Sequence, residues 1–171
     1  MKKELELPSI LGFCKNCFNK RRHGSAFCGE CQDKPKRMTI YWDDEFGNLP
    51  IFTKLIDKFK LNPKQISKML VTYGDTIFAS EPPSYGLISH ELTHVFQQEK
   101  VGLGLWWEKY MDDVEFRLSQ ELEAYQNQLK TYILRNPANI TMASVLAKDL
   151  SGKMYGEIIT FEEAKKLIIN N

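Results

Sequence analysis

Long apolar runs are missing from this chain of 171 residues. No stretch approaches the ~18 consecutive apolar residues that a membrane-spanning helix needs, so no membrane span is expected. A charge imbalance is missing too. The 23 Lys and Arg against 22 Asp and Glu leave a net charge of +1, so no bulk field draws the protein to nucleic acid, and any such contact needs a local patch. A secretion signal is not legible in MKKELELPSILGF, where Glu4 and Glu6 interrupt the apolar stretch it would require. The expected setting is therefore the cytoplasm, where cysteines stay reduced. Internal repeats and low-complexity tracts are absent. Histidine is scarce at three residues, and cysteine does not occur outside residues 14–31. What is present is ordinary for a folded soluble protein: 43% hydrophobic and 26% charged residues, in a length that buries one core with room for a small appended module.

Charge and cysteine divide the chain into residues 1–37, a basic segment holding all four cysteines, and residues 38–171. Beyond the boundary MTIYW (38–42) reads as a strand and LPIFTKLIDKFK (49–60) as an amphipathic helix. Asn62-Pro63 opens a short helix through Leu70. VTYGDTIFAS (71–80) reads as strand, turn, strand, stopped by Glu81-Pro82-Pro83. A helix follows that carries ISHELTHVFQQ (88–98) and breaks at the glycines of VGLGLWW (101–107). A long helix runs from about Asp113 to Arg135 and ends at Asn136-Pro137. After it come a helix over about 139–149, a loop or strand at SGKMYGEII, and a last helix opened by a Thr160/Glu163 capping box.

ISHELTHVFQQ concentrates two of the three histidines, with a glutamate beside the first. Residues four apart stand on one face of a helix, so His90 and His94 can each offer a nitrogen to one metal ion. With His90 at 0°, His94 falls at about 40°, and Ile88, Leu92, Val95 and Phe96 fall on the opposite side, at about 140–240°. Glu91, near about 100°, flanks the histidine face within reach of a metal-activated water. The bland alternative is a helix with two incidental histidines.

A catalytic zinc site needs a third protein ligand and an open position. His23 lies inside the cysteine segment, so a carboxylate is expected. SQELEAYQNQ (119–128) offers Glu121 and Glu123. With Glu121 at 0°, Val114, Leu118, Leu122, Tyr125, Leu129 and Tyr132 lie within about 20–100°, whereas Glu123 falls near about 200° with Asn127 and Lys130. Glu121 thus borders the inward face, where a carboxylate needs a partner, and a metal ion is a good one. A buried salt bridge with Arg117 is the competing reading.

HELTH followed by Glu-x-x-Ala-Tyr on a later helix resembles the gluzincin group of zinc metallopeptidases, and the stretch from about Tyr85 to Gln128 is similar to small uncharacterised peptidase-like proteins of phages and bacteria. The resemblance implies that His90, His94 and Glu121 bind catalytic zinc and that Glu91 is the general base for peptide-bond hydrolysis. It also implies that the strand near GDTIFA edges the cleft and pairs with extended substrate. Tyr125 stands where many relatives carry an aspartate that orients a histidine ligand. No downstream histidine is available as oxyanion stabiliser, which leaves Tyr110, Tyr125 and Arg117 as candidates. The expected fold is α+β: a zincin-like domain with a small sheet, an edge strand next to the histidine helix, and a helical C-terminal part.

FCKNCFNKRRHGSAFCGECQDK pairs Cys14-x2-Cys17 with Cys28-x2-Cys31, the short spacing of a four-thiolate structural zinc site. Four thiolates leave no open position, so a second, non-catalytic Zn2+ is expected. Disulfides conflict with the reducing setting, and a redox pair lacks a βαβ context. Lys20, Arg21, Arg22 and His23, with Phe13, Phe18 and Phe27 nearby, could contact nucleic acid, contact protein, or only solvate and fill the module. Trp106 and Trp107 either line a substrate pocket or pack their segment onto the long helix. Asp112-Asp113 reads as helix capping, with Glu115 three residues after Asp112, rather than a second metal site.

Three functions follow. The first is a zinc peptidase acting on peptides or proteins. The second is a non-catalytic zinc-stabilised interaction or nucleic-acid-binding protein on a peptidase scaffold. The third is a regulator that cleaves one specific protein recruited by the cysteine module.

Overall fold

The computed structural model of the chain describes residues 2–5, 38–42, 50–62, 65 and 69–170. The four-cysteine segment, its basic tip and most of the helix expected at 62–70 lie outside the described residues. At the edge of that last stretch, Asn62 and Gln65 exchange side-chain-to-backbone hydrogen bonds of 3.0 Å, the reciprocal pairing of a helix start.

The architecture is α+β and mostly helical. Strands β1 (Lys2–Leu5), β2 (Met38–Trp42), β3 (Val71–Tyr73) and β4 (Thr76–Ala79) form one sheet in the order β1-β2-β4-β3. Only β2 and β4 pair in parallel. Residues 2–5 therefore share a sheet with residues 38–42, and the cysteine segment lies in the chain between them. Helix α1 (Pro50–Phe59) follows β2. It buries Ile51, Phe52 and Leu55, one helical stripe, and exposes Lys54 and Lys58.

Alternation along β3 and β4 divides the sheet's faces. Val71 and Phe78 pack with the α1 stripe, and the Phe52 and Phe78 rings meet edge to face at 6.4 Å. Ile77 packs on the opposite side with Ile88, Leu92 and Val95 of α2 (Tyr85–Val101). These are the aliphatic positions that helical phase set opposite the histidines. At roughly 1.5–3 kcal/mol for each fully buried aliphatic side chain, this stripe is what fixes α2 on the sheet and sets the direction of its other face.

Helix α2 stops at Gly102, whose φ of 94° is one a side chain rarely adopts. The break is a single residue. The sequence led us to expect a glycine-broken segment ahead of Trp106, but helix α3 (Leu103–Asp112) resumes at once, because Gly104 costs less than the burial of Trp106, Trp107 and Tyr110 on one helical face returns. Asp113 caps the long helix α4 (Val114–Arg135) by accepting from the Phe116 N–H at 2.9 Å. The cap thus falls one residue later than the Asp112/Glu115 pairing expected, and Asp112 instead pairs with Lys58 at 3.3 Å.

Asn136 ends α4 and caps a 3-10 turn (Pro137–Thr141). The turn leads into α5 (Met142–Leu150), so the regular helix begins three residues later than expected. The segment 151–159 forms a second 3-10 turn (Lys153–Tyr155) and loop rather than a strand, and α6 (Phe161–Ile169) opens with the Thr160/Glu163 capping box. Helices α4, α5 and α6 enclose a separate core around Tyr125, Leu129, Leu146 and Leu150. Helix α4 therefore joins the two halves, facing α2 on one side and the C-terminal helices on the other. Among the described residues no helix is long and apolar enough to cross a membrane.

Candidate metal centre

The α2–α4 interface brings His90, His94 and Glu121 together as anticipated, with one ligand atom from each lying within 4.8 Å of the others. The histidine Nε2 atoms are 3.2 Å apart, and His90 Nε2 is 3.4 Å from Glu121 Oε2. In a tetrahedral set with bonds of about 2.0–2.2 Å to a central ion, neighbouring ligand atoms stand about 3.3–3.5 Å apart. The observed spacings match that size.

Hydrogen bonds behind the ligands leave the right atoms facing inward. His90 Nδ1 meets Gln128 Oε1 at 3.1 Å, and His94 Nδ1 meets Gln97 Oε1 at 2.8 Å. Each ring thus donates its Nδ1 proton to an amide carbonyl, which turns its Nε2 toward the other ring. The Gln97 amide is itself oriented, because its Nε2 donates to Gln120 O at 3.0 Å and to Glu123 Oε2 at 2.9 Å. On Glu121, Oε1 accepts from the Tyr110 hydroxyl at 2.5 Å, while Oε2 is buried without a hydrogen-bond partner. Two imidazole Nε2 atoms and an orphaned carboxylate oxygen converging in a buried site fit a divalent cation, and this donor set suits zinc.

The electrostatics agree. Burial alone would lower the His94 pKa, but the Glu121 carboxylate, by its charge and hydrogen bond, together with Glu91, outweighs burial and raises it to about 9. Burial would raise the Glu121 pKa, but His94 and His90 overcome it and hold that carboxyl well below the usual carboxylate range.

Glu91 lies on the same buried wall. Its Oε2 accepts from the Thr72 hydroxyl at 2.7 Å, which ties the carboxylate to β3. His90, Glu91, His94 and Glu121 are 2–6% exposed. A cavity of about 60 Å³ is lined by all four together with Trp106 and Tyr155, large enough for a few waters at roughly 10–15 Å³ each. A larger groove of about 640 Å³, lined by Asn62, Gln65 and Leu70 on one side and by residues 148–155 on another, reaches only His90 and Glu91 of the four.

Other candidates resolve individually. Arg117 makes no bridge to Glu121. Its Nη1 donates to the carbonyl oxygens of Tyr110 and Met111 at 2.7 and 3.2 Å, holding the end of α3. Trp106 packs onto α4 through a 2.9 Å bond to Gln120 and also lines the small cavity, with its ring 5.6 Å from that of His94. The Tyr125 and His90 rings meet edge to face, with centroids 4.5 Å apart. Cys14, Cys17, Cys28 and Cys31 lie outside the described residues.

One expectation needs correction. The GDTIFA strand, β4, is paired on both sides, by β2 and by β3, so it cannot edge a cleft. β3 is the sheet's edge beside α2, and one of its outward backbone groups, Thr72 O, is already taken. Gln98 donates to Thr72 O and accepts from Gly74 N, both at 2.8 Å, and so stands in for a neighbouring strand.

Sequence reasoning missed Gln97, Gln128 and the role of Glu123. The available signal was spacing: Gln97 is three residues after His94, and Gln128 seven after Glu121, so each shares a helical stripe with a ligand. Comparison of the chain with family models, with curated proteins and with solved structures finds no match.

Proposed function

We propose that this protein is a zinc-dependent peptidase with His90, His94 and Glu121 as ligands and Glu91 as general base. The observation that carries the reading is the convergence of two histidine Nε2 atoms and an orphaned Glu121 Oε2 beside a tethered glutamate. When bound there, zinc supplies Lewis acidity, bringing the pKa of a coordinated water toward about 7 and polarising a carbonyl. The chain's residues supply the rest. Gln128 and Gln97 fix the histidine rings, and Tyr110 holds one oxygen of Glu121 and leaves the other for the cation. Thr72 anchors one oxygen of Glu91, so the carboxylate takes a proton from water as it attacks the peptide carbonyl and delivers it to the leaving nitrogen. The groove of about 640 Å³, lined by both His90 and Glu91, offers room for an extended substrate.

A second reading is favoured by burial. With every site residue at most 6% exposed, zinc here would also suit a non-catalytic, metal-stabilised interaction protein. Zinc-loaded wild type and Glu91→Gln, incubated with a complex cell extract, separate the two. The peptidase reading expects new peptide termini with wild type alone; identical peptide profiles from both proteins would leave the interaction reading.

A further inference from the structure

Among the described residues, three buried side-chain polar atoms have no hydrogen-bond partner: Glu121 Oε2, Trp107 Nε1 and Arg117 Nε. The cation site accounts for the first. Trp107 is a neutral indole, whereas Arg117 is a guanidinium only 4% exposed, and no carboxylate among the described residues pairs with it. A charge buried in this way costs stability, and an apolar side chain of similar volume is often neutral or stabilising in its place. The needs of α4 do not explain it, since a cation in the first turn of a helix opposes the helix dipole. Nor does contact with substrate, because Arg117 lines neither the small cavity nor the large groove.

What Arg117 touches lies on the neighbouring helix. α3 ends at Asp112 and α4 begins at Val114, so Asp113 alone forms the elbow between them. Arg117 reaches back across that elbow. Its Nη1 donates to Tyr110 O at 2.7 Å and to Met111 O at 3.2 Å, among the last carbonyls of α3, where a cation meets the favourable end of the dipole. Its Cζ stands 6.0 Å from the centre of the Tyr110 ring and 5.1 Å from that of Phe59. Tyr110 is thus held by its carbonyl and by its ring, on which Trp106 also stacks with centroids 4.7 Å apart. The hydroxyl held in this way donates to Glu121 Oε1 at 2.5 Å. The circuit closes on α4, where Glu121 stands one turn beyond Arg117.

We propose that Arg117 is a positioning residue for the metal centre: by bracing the α3–α4 elbow it keeps the Tyr110 hydroxyl on Glu121 Oε1 and so aims Oε2 at the cation. The stability forgone by burying its charge is the cost of holding one carboxylate oxygen in place. The inference rests on the ligand set of the peptidase reading and not on peptide hydrolysis. Two plainer roles compete with it. Arg117 acts on the metal through its charge alone, or it holds the end of α3 with no consequence for Glu121.

The test uses the full-length protein, takes the site as the zinc binding lost in His90→Ala, and measures affinity by competition with a chromophoric chelator. Arg117→Lys keeps the charge and loses the planar guanidinium, and Arg117→Gln loses both. Each is expected to weaken zinc by about 10-fold, and Tyr110→Phe by about 10–100-fold. Loss of a positive charge near a dication would by itself tighten binding, so weakening in Arg117→Gln separates position from charge. Adding Arg117→Lys to Tyr110→Phe should cost no more than Tyr110→Phe alone, because both act on one hydrogen bond. In cobalt-substituted protein, the visible d–d band that His90→Ala removes should shift alike in Arg117→Lys and Tyr110→Phe, a change that lower stability alone does not bring. Zinc affinity within about twofold of wild type in Arg117→Lys would overturn the inference. So would tighter zinc in Arg117→Gln, or equal losses from Arg117→Lys with and without the Tyr110 hydroxyl. Where Arg117→Gln does not fold, Arg117→Lys and its cycle with Tyr110→Phe decide. Failure of the ligand set is distinct: it appears as wild-type zinc binding that His90→Ala leaves unchanged.

Discussion

Raising the pH from 6.5 to 9 should destabilise the metal-free protein through the ligand cluster. His94 titrates at about 9 in the folded chain against an ordinary 6.5. A group whose folded pKa is raised contributes stability in full below the unfolded value and loses it as the pH climbs through the folded one. At ~1.4 kcal/mol per pKa unit, the rise corresponds to stabilisation on the order of 3 kcal/mol, present at pH 6 and largely gone at pH 9. The lowered Glu121 pKa describes the same ion pair from the other side, its contribution being lost as the pH falls below 4.5, so the two are counted once. For a domain of this size the loss amounts to a fall in Tm of roughly 6–12 °C. Zinc reverses the trend, since it replaces the proton on His94 and binds more tightly as that proton becomes easier to remove. The assay is thermal unfolding of chelator-treated and zinc-loaded protein across pH 6–9, with Glu121→Gln as reference to subtract every other titrating group. A metal-free wild type whose Tm, relative to Glu121→Gln, stays level or rises between pH 6.5 and 9 would refute the ion-paired cluster.

Two further outcomes follow from the hydrogen bonds around the site. Gln97→Ala and Gln128→Leu should each weaken zinc binding by about 10–100-fold without unfolding the chain, measured by competition with a chromophoric chelator, and Glu123→Ala should weaken it by less because it acts through Gln97. Gln98→Ala, which uncovers Thr72 O and Gly74 N, should cost about 1–3 kcal/mol in denaturant unfolding and leave KM unchanged. A lower KM in that variant would mean that substrate does use the β3 edge once Gln98 is gone.

The clustering of His90, His94 and Glu121 was legible because it is a matter of phase. Ile88, Leu92 and Val95 form one face of α2 and enter the core, so the histidines must face away from the sheet, and Glu121 borders the apolar stripe of α4 that meets them. Turns and caps at Gly102, Asp113 and Thr160 were legible to within a residue, because backbone geometry there depends on local chemistry. Strand order was not, since the hairpin 71–79 alternates equally well whichever strand lies outside, and only pairing with β2 decides it. Gln97, Gln98 and Gln128 look like solvent-facing polar residues until the partner element is in place. Tyr155 sits in a segment whose approach to the site depends on how α4, α5 and α6 pack, which no local pattern encodes.

The central claim is that one metal ion sits among His90, His94 and Glu121. A crystal of the zinc-loaded protein, measured on both sides of the zinc absorption edge, tests it directly. The expected result is an anomalous peak about 2.0–2.2 Å from both Nε2 atoms and from Glu121 Oε2, lost in His90→Ala. A zinc-replete crystal with no anomalous density among these three residues would contradict it.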